Sequence, residues 1–215
     1  MADRERVDRV RHSYDAPARR YLDHVGGEMH HASLERSALQ LFADLAGPDA
    51  LTIDAGCGPG HITSFLADRG LQKICGIDLS PEMIALAQAS FPAIDFRVGE
   101  LAMLPVADGG VDAVVSRHSI IHTEPPQLEA VFTEFARVLV PGGLLFVSFF
   151  AVSESSEHGE PFDHAVCTAY QLDPSTVAGM LSAVGIVEEM RLLRRPTTRE
   201  RQIPHATLIA RRVST

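Results

Sequence analysis

The glycine-rich stretch LTIDAGCGPG at residues 51–60 constrains the fold more than any other part of the chain. A short β-like run ends at Asp54, glycines follow at Gly56, Gly58 and Gly60, and a helix-like run comes next. Glycine is needed where the backbone takes a positive φ or approaches a ligand closely. A strand, a glycine turn and a helix start place free backbone N–H groups at the carboxyl edge of a sheet, where open α/β sheets bind ligands. The stretch therefore predicts a site for a nucleoside-bearing cofactor.

Strand-like and helix-like runs alternate beyond this turn, which predicts an α/β fold with a mostly parallel sheet and helices on both faces. The last two strands are joined by a loop rather than a helix, so we expect an antiparallel hairpin at one edge. Ser80 and Asp173, each followed by proline, are the expected N-caps of two helices. The expected strands are 51–54, 73–78, 94–98, 111–116, 143–150, 186–194 and 205–212, and the expected helices between them are 60–69, 81–90, 127–140 and 174–184.

The residues before the first strand have helical spacing with a break at Gly26-Gly27, and they are an addition to the sheet domain. The second of these helices is expected to bury a face formed by Leu34, Ala38, Leu41, Phe42 and Leu45. We predict a single domain. It comprises a helical cap at 1–47, a cofactor-binding core at 48–150, and a substrate-side loop and C-terminal hairpin at 151–215.

The composition of the chain limits which partners it can bind and in which cellular compartment it is expected. The chain has 215 residues and a net charge of −9, and from 21 to 190 acidic residues outnumber basic ones by 23 to 6, which disfavours a nucleic-acid substrate. Apolar runs are shorter than the ~18–20 residues that span a bilayer. The charged N-terminus is unlike a secretory signal, and three cysteines without a CxxC pair favour free thiols. We expect a soluble, cytoplasmic protein.

Two further strand ends carry polar groups that suit a nucleoside. Asp78 ends the second expected strand about 20 residues after the glycine turn, where a carboxylate accepts hydrogen bonds from both ribose hydroxyl groups. The stretch GELAMLP at 99–105 follows the third strand and offers a carboxylate, a backbone amide and apolar side chains for an adenine ring. An NAD(P)-binding oxidoreductase stays open as an alternative, although His61 stands where the dinucleotide fingerprint needs glycine or alanine.

These motifs resemble those of the class I S-adenosylmethionine-dependent methyltransferases, especially the bacterial small-molecule enzymes of the type 11 kind. The resemblance covers about 50–150, through DAGCGPG, GIDLSPEMIALA, VGELAMLP, VDAVVSRHSIIH and LVPGGLLFVSF. It implies a Rossmann-like fold with strand order 3-2-1-4-5-7-6 and strand 7 antiparallel. It also implies S-adenosyl-L-methionine as cofactor, with Asp54 and Gly56 at the methionine part and Asp78 at the ribose. The other residues implied in cofactor binding are Ala55, Gly58, Leu79, Met83, Glu100, Leu101 and Ser116, with Tyr14 and Tyr21 in a lid.

Methyl transfer from a sulfonium is an in-line displacement, so the protein mainly aligns the reactants and excludes water. A general base is needed only for a protonated nucleophile, and His118 and His122 are the candidates. Arg117 and Tyr170 are expected on the substrate side, together with the polar 151–172 connection. A metal site is not expected, because the histidines lack a ligand spacing.

The predicted acceptor is a small molecule methylated on oxygen or nitrogen, and the protein is expected to be a monomer or homodimer without membrane or nucleic-acid partners. A non-catalytic module that binds S-adenosylmethionine is a second alternative.

Overall fold

The structure is a computed structural model that describes residues 33–153, 156–164, 167–196 and 202–214. Within these ranges, none of the helices is both long enough and apolar enough to cross a bilayer. The described strands are β1 (Thr52–Ala55), β2 (Ile74–Asp78), β3 (Asp95–Val98), β4 (Val111–Arg117), β5 (Leu139–Phe150), β6 (Glu160–Asp163), β7 (Thr168–Gln171), β8 (Ile186–Arg194) and β9 (His205–Arg212). The described α-helices are α1 (Ser33–Ala46), α2 (His61–Asp68), α3 (Pro81–Ser90), α4 (Leu128–Val138) and α5 (Pro174–Ala183).

Seven of these strands form one sheet in the order β3-β2-β1-β4-β5-β9-β8. Strands β1 to β5 are parallel to one another, and β9 is antiparallel to both β5 and β8. Counted within this sheet alone, the order is 3-2-1-4-5-7-6, so the predicted topology and edge hairpin are confirmed. The strand order reverses at β1 and β4, and ligands of open α/β sheets bind outside the carboxyl ends of the strands at such a point.

The sheet is buried on both faces. On β4, Val114 belongs to an apolar cluster with α4 and α5, whereas Val115 belongs to a second cluster with α1 and α2. Leu145 and Phe146 divide between the same two clusters on β5. Successive residues of a strand point to opposite faces, so the apolar runs in the sequence are the mark of strands covered on both sides.

Helix α1 is present, but the face it buries differs from the expected one. The side chains of Leu34, Leu41 and Leu45 are 54%, 40% and 47% exposed. The helix is rotated so that its buried residues follow i, i+3, i+4, i+7 and i+8 spacing, and Phe42 meets Phe146 with ring centroids 5.7 Å apart. The buried residues are Glu35, Ala38, Leu39, Phe42 and Ala43.

Local signals placed most helix ends correctly. The Ser80 hydroxyl accepts the Met83 N–H, and the Asp173 carboxylate accepts the Thr176 N–H, so both predicted N-caps are confirmed. The end of α4 is different, because the chain leaves the helix at Val138 and pairs with β4 at once. The Pro-Gly-Gly sequence then forms an irregularity inside β5 rather than a helix stop.

The 151–172 connection, predicted as a loop, contains two strands. Strands β6 and β7 form an antiparallel hairpin within it, and Ala151 forms a parallel bridge with Leu172. Phe162 and Tyr170 of this hairpin pack against the main core, which anchors the otherwise polar segment.

Candidate functional site

A cavity of about 350 Å³ opens at the carboxyl edge of the sheet, beside the ends of β1, β2, β3 and β4. Ligand pockets in proteins usually measure about 300–1,000 Å³. The residues that line the cavity are Gly56, Asp78, Leu79, Gly99, Glu100, Leu101, Ala102, Ser119, His122, Thr123, Pro126, Gln127, Ala130 and Val131.

Two glycines of the turn after β1 are required for different reasons. Gly56 has a φ of +83°, and a Cβ atom there would lie 2.2 Å from the Cβ atom of Ser119. Gly60 also has a φ of +83°, and its Cβ would meet the Phe96 ring at 2.7 Å. Gly56 therefore allows the β4 loop to approach the turn, and Gly60 allows α2 to begin against β3.

Asp78 ties the turn to the end of β2. One carboxylate oxygen accepts the Gly58 N–H at 2.8 Å, and the other accepts the Ser80 N–H at 2.9 Å. These bonds fix the carboxylate at the edge of the cavity, which Asp78 lines. Gly58 thus acts on the site through its amide, although it does not line the cavity.

The wall formed by residues 99–102 is held against α4. The Glu134 carboxylate accepts the Leu104 N–H at 2.6 Å and pairs with Arg137 at 2.7 Å. Arg137 also donates to the backbone oxygens of Leu104 and Val106. These bonds fix the segment that brings Glu100 and Leu101 to the cavity.

Asp54 lies beneath the turn and does not line the cavity. Its carboxylate is 1% exposed and accepts the Thr63 hydroxyl at 2.7 Å. Burial raises the pKa of Asp54 to about 7, with a further contribution from the charge of Asp78. This side chain joins β1 to α2 below the floor of the cavity.

Hydroxyl groups connect the β4 loop to the glycine turn. Ser119 lines the cavity, its hydroxyl donates to the Ala55 carbonyl at 2.9 Å, and the Ser116 hydroxyl is its other partner. Ser116 itself is fully buried on β4, three residues before Ser119, and does not line the cavity. The sequence pointed to Ser116, and the residue that reaches the cavity is Ser119.

His122 lies on the cavity wall at the end of a 3₁₀ turn over Ile120–His122. Its Nδ1 atom lies 3.0 Å from the Thr168 carbonyl oxygen, and the Cys167 Sγ atom is 3.2 Å from the same nitrogen. A carbonyl oxygen only accepts, so Nδ1 carries the proton and Nε2 carries the lone pair. Burial lowers the pKa of His122, which keeps the imidazole neutral at neutral pH.

His118 and Arg117 lie off the cavity wall, in a buried polar cluster with Glu35 of α1. Arg117 donates to both Glu35 oxygens, at 2.8 and 3.2 Å, and His118 Nε2 lies 3.7 Å from the same carboxylate. Burial would raise the pKa of Glu35, but the neighbouring charges, above all Arg117, bring it down to about 2. Burial and Arg117 hold the pKa of His118 well below its usual range.

Some predicted site residues are placed away from the cavity. Met83 is fully buried in α3, where its amide bonds to Ser80, and Tyr170 packs on the core from β7. Tyr14 and Tyr21 lie outside the described residues. Of the predicted residues, those that the structure brings together on the wall are Gly56, Asp78, Leu79, Glu100, Leu101 and His122.

Sequence reasoning missed five of the residues that line the cavity. They are Thr123, Pro126, Gln127, Ala130 and Val131, from the 3₁₀ turns before α4 and the first turns of that helix. The signal present in the sequence was a Pro-Pro pair at 125–126, between the end of β4 and the start of α4. Within the described ranges, no group of three or more His, Cys, Asp or Glu side chains is arranged to hold a metal ion.

Comparison with known proteins agrees with this geometry. A family profile described as a methyltransferase domain matches residues 52–143. The arsenite methyltransferase of Halobacterium salinarum is 31% identical over 160 residues, which are 71% of this chain and 37% of that protein. The chain spans about half or less of the length of the curated relatives it matches.

Two solved structures share the fold. The 1,6-didemethyltoxoflavin N1-methyltransferase of Burkholderia thailandensis, with bound S-adenosylhomocysteine, has a TM-score of 0.69 at 18% identity, covering 95% of this chain and 91% of that one. The geranyl diphosphate C-methyltransferase of Streptomyces coelicolor, also with S-adenosylhomocysteine, has a TM-score of 0.69 at 19% identity, covering 84% and 76%. The methyltransferase-domain profile and the curated methyltransferase relatives favour a methyltransferase over the nicotinamide-binding alternative. The chain belongs to the class I S-adenosylmethionine-dependent methyltransferases, and residues 52–143 are its matched methyltransferase domain.

Proposed function

We propose that this protein transfers the methyl group of S-adenosylmethionine to an oxygen or nitrogen atom of a small-molecule acceptor. Family membership supports the cofactor and the reaction, and two solved relatives hold S-adenosylhomocysteine. The observation that carries the choice of acceptor atom is His122, a neutral imidazole on the cavity wall with its Nδ1 proton directed at the Thr168 carbonyl.

The residues present fit an adenosyl group. Asp78 lines the cavity with a carboxylate, a group that accepts hydrogen bonds from ribose hydroxyl groups, and Leu79 and Leu101 add apolar surface for a purine. Glu100 supplies an acceptor for an exocyclic amino group. When bound, the cofactor supplies an activated methyl group, and the protein has to align it and keep water away.

His122 would act on the acceptor rather than on the cofactor. An alcohol or phenol acceptor loses its O–H proton as the oxygen attacks the methyl carbon, whereas an ammonium must lose a proton first to give nitrogen its lone pair. In each case Nε2 of His122 is the atom that takes the proton, and S-adenosylhomocysteine leaves as a neutral thioether. The Thr168 carbonyl then stabilises the imidazolium through Nδ1–H, as a second partner commonly does for a working histidine. Burial lowers the pKa of His122, which favours the neutral imidazole that can accept this proton.

A methylation assay tests the proposal. The protein is incubated with S-adenosylmethionine labelled on its methyl group and a panel of small phenols, alcohols and amines, and the label in each product is counted. We expect one acceptor class to be methylated and His122→Gln to lower kcat about 10²–10⁴-fold, the usual contribution of a general base. His158→Gln is the matched control, because that imidazole lies outside the cavity and bonds to the Asp173 amide.

The outcomes separate the parts of the proposal. A wild-type protein that binds no S-adenosylhomocysteine and labels no acceptor contradicts the function. A wild-type protein that methylates while His122→Gln keeps full activity at every pH contradicts the base only. The wild-type rate should stay level through the usual histidine range and fall only at more acidic pH, because burial lowers the pKa of His122.

A further inference from the structure

The amide group of Gln127 has an unmet hydrogen-bonding capacity at the cavity. Gln127 lines the wall just before α4, and its Oε1 atom is buried without a hydrogen-bond partner among the described residues. Buried polar atoms in folded proteins are nearly always paired, and a binding role is one of the few reasons to leave one unpaired. The position of this group therefore points to a ligand that donates a hydrogen bond.

The position of Gln127 on the cavity wall indicates which part of the ligand its side chain contacts. Gln127, Val131 and Glu134 follow i, i+4 and i+7 spacing, so they lie on one face of α4, with Gln127 at its N-cap position. Glu134 on that face bonds to the Leu104 amide, so the face runs alongside the segment that brings Glu100 and Leu101 to the cavity. Gln127 lines the same cavity as Glu100 and Leu101, the two residues expected at the adenine.

The oxygen and the N–H₂ of a side-chain amide can both form hydrogen bonds with one edge of adenine. The amide oxygen accepts from the exocyclic amino group and the N–H₂ donates to the neighbouring ring nitrogen, the pairing that Gln and Asn make with adenine elsewhere. We propose that Gln127 binds the adenine of the cofactor through this pair of hydrogen bonds and makes the site selective for adenine over hypoxanthine. The inference rests on the proposed cofactor, and it adds a donor that the carboxylate of Glu100 cannot supply.

Calorimetry with a matched ligand pair tests this role. S-adenosylhomocysteine and S-inosylhomocysteine differ only in the base, where the amino group is replaced by a carbonyl oxygen. We expect wild-type protein to bind the adenine ligand at least tenfold more tightly. Gln127→Met, which keeps the length but removes the amide, should weaken the adenine ligand about tenfold and change the hypoxanthine ligand less than twofold. Gln40→Met, on α1 away from the cavity, should change neither.

Thermal unfolding of the ligand-free proteins separates binding from folding. Gln127→Met removes a buried unpaired oxygen, so its Tm should be equal to or above that of the wild type. Gln127→Glu keeps an acceptor and should retain most of the preference for adenine. Equal weakening of both ligands by Gln127→Met, or no change in either, would overturn the assignment of Gln127 alone. Failure of the wild type to bind either ligand would overturn the cofactor and this inference together.

Discussion

Removal of the charge on Glu35 should strongly lower the free energy of unfolding, although Glu35 does not line the cavity. The side chains of Glu35 and Arg117 are 6% and 11% exposed, and E35Q leaves the guanidinium buried without its carboxylate. Loss of one partner of a buried pair costs about 3–5 kcal/mol. The fall in the pKa of Glu35 from 4.5 to about 2 gives an independent figure of about 3 kcal/mol. We expect E35Q to lower the free energy of unfolding by about 3 kcal/mol at pH 7.

Urea unfolding followed by circular dichroism measures this loss. E189Q is the control, because Glu189 and Arg211 form an exposed pair whose loss should cost less than about 1 kcal/mol. The folded-state pKa of Glu35 is depressed, so its contribution is present above about pH 4.5 and is lost as the pH falls through about 2. A cost for E35Q no larger than that of E189Q would refute the ion pair as a major stabilising contact. Recovery of stability in E35Q/R117M would support it further.

Three further predictions concern the floor of the cavity. Gly56→Ala should abolish binding of S-adenosylhomocysteine by calorimetry, since its Cβ would overlap Ser119, whereas Gly58→Ala, with open space around its Cβ, should fold with a cost of about 1 kcal/mol. Asp78→Ala should weaken that binding at least tenfold through loss of charge-assisted hydrogen bonds, and unchanged binding would count against the ribose assignment. The folded-state pKa of Asp54 is raised to about 7, so its contribution is complete below about pH 4 and lost as the pH rises through 7. Asp54→Asn should therefore flatten the fall in Tm between about pH 4 and 7, and parallel curves would contradict the shift.

The sequence carried most of the fold because its signals were local. Glycines after β1, Pro-preceded helix starts and apolar runs of strand length each act within a few residues, and the order of the strands followed from the family resemblance. The orientation of α1 depended instead on Arg117, 82 residues away, which draws Glu35 into the buried face. No pattern within α1 contains that information.

The residues of the site also fall into those that local sequence signals predict and those that depend on distant packing. Asp78 and Glu100 were predictable because each directly ends or follows a strand. Ser119 and Gln127 reach the cavity from turns whose path depends on packing around β4 and α4, so their sequence positions gave little indication of it. The hairpin that holds His122 through Thr168 was hidden in a polar segment, because only a few apolar side chains anchor it to the core.

A crystal structure of the protein with S-adenosylhomocysteine tests the central claim most directly. The account predicts the adenosyl group in the 350 Å³ cavity, with the ribose hydroxyl groups on Asp78, the adenine between Leu79 and Leu101, and the sulfur toward Ser119 and His122. Density for the ligand anywhere else, or an empty cavity at saturating concentration, would contradict it.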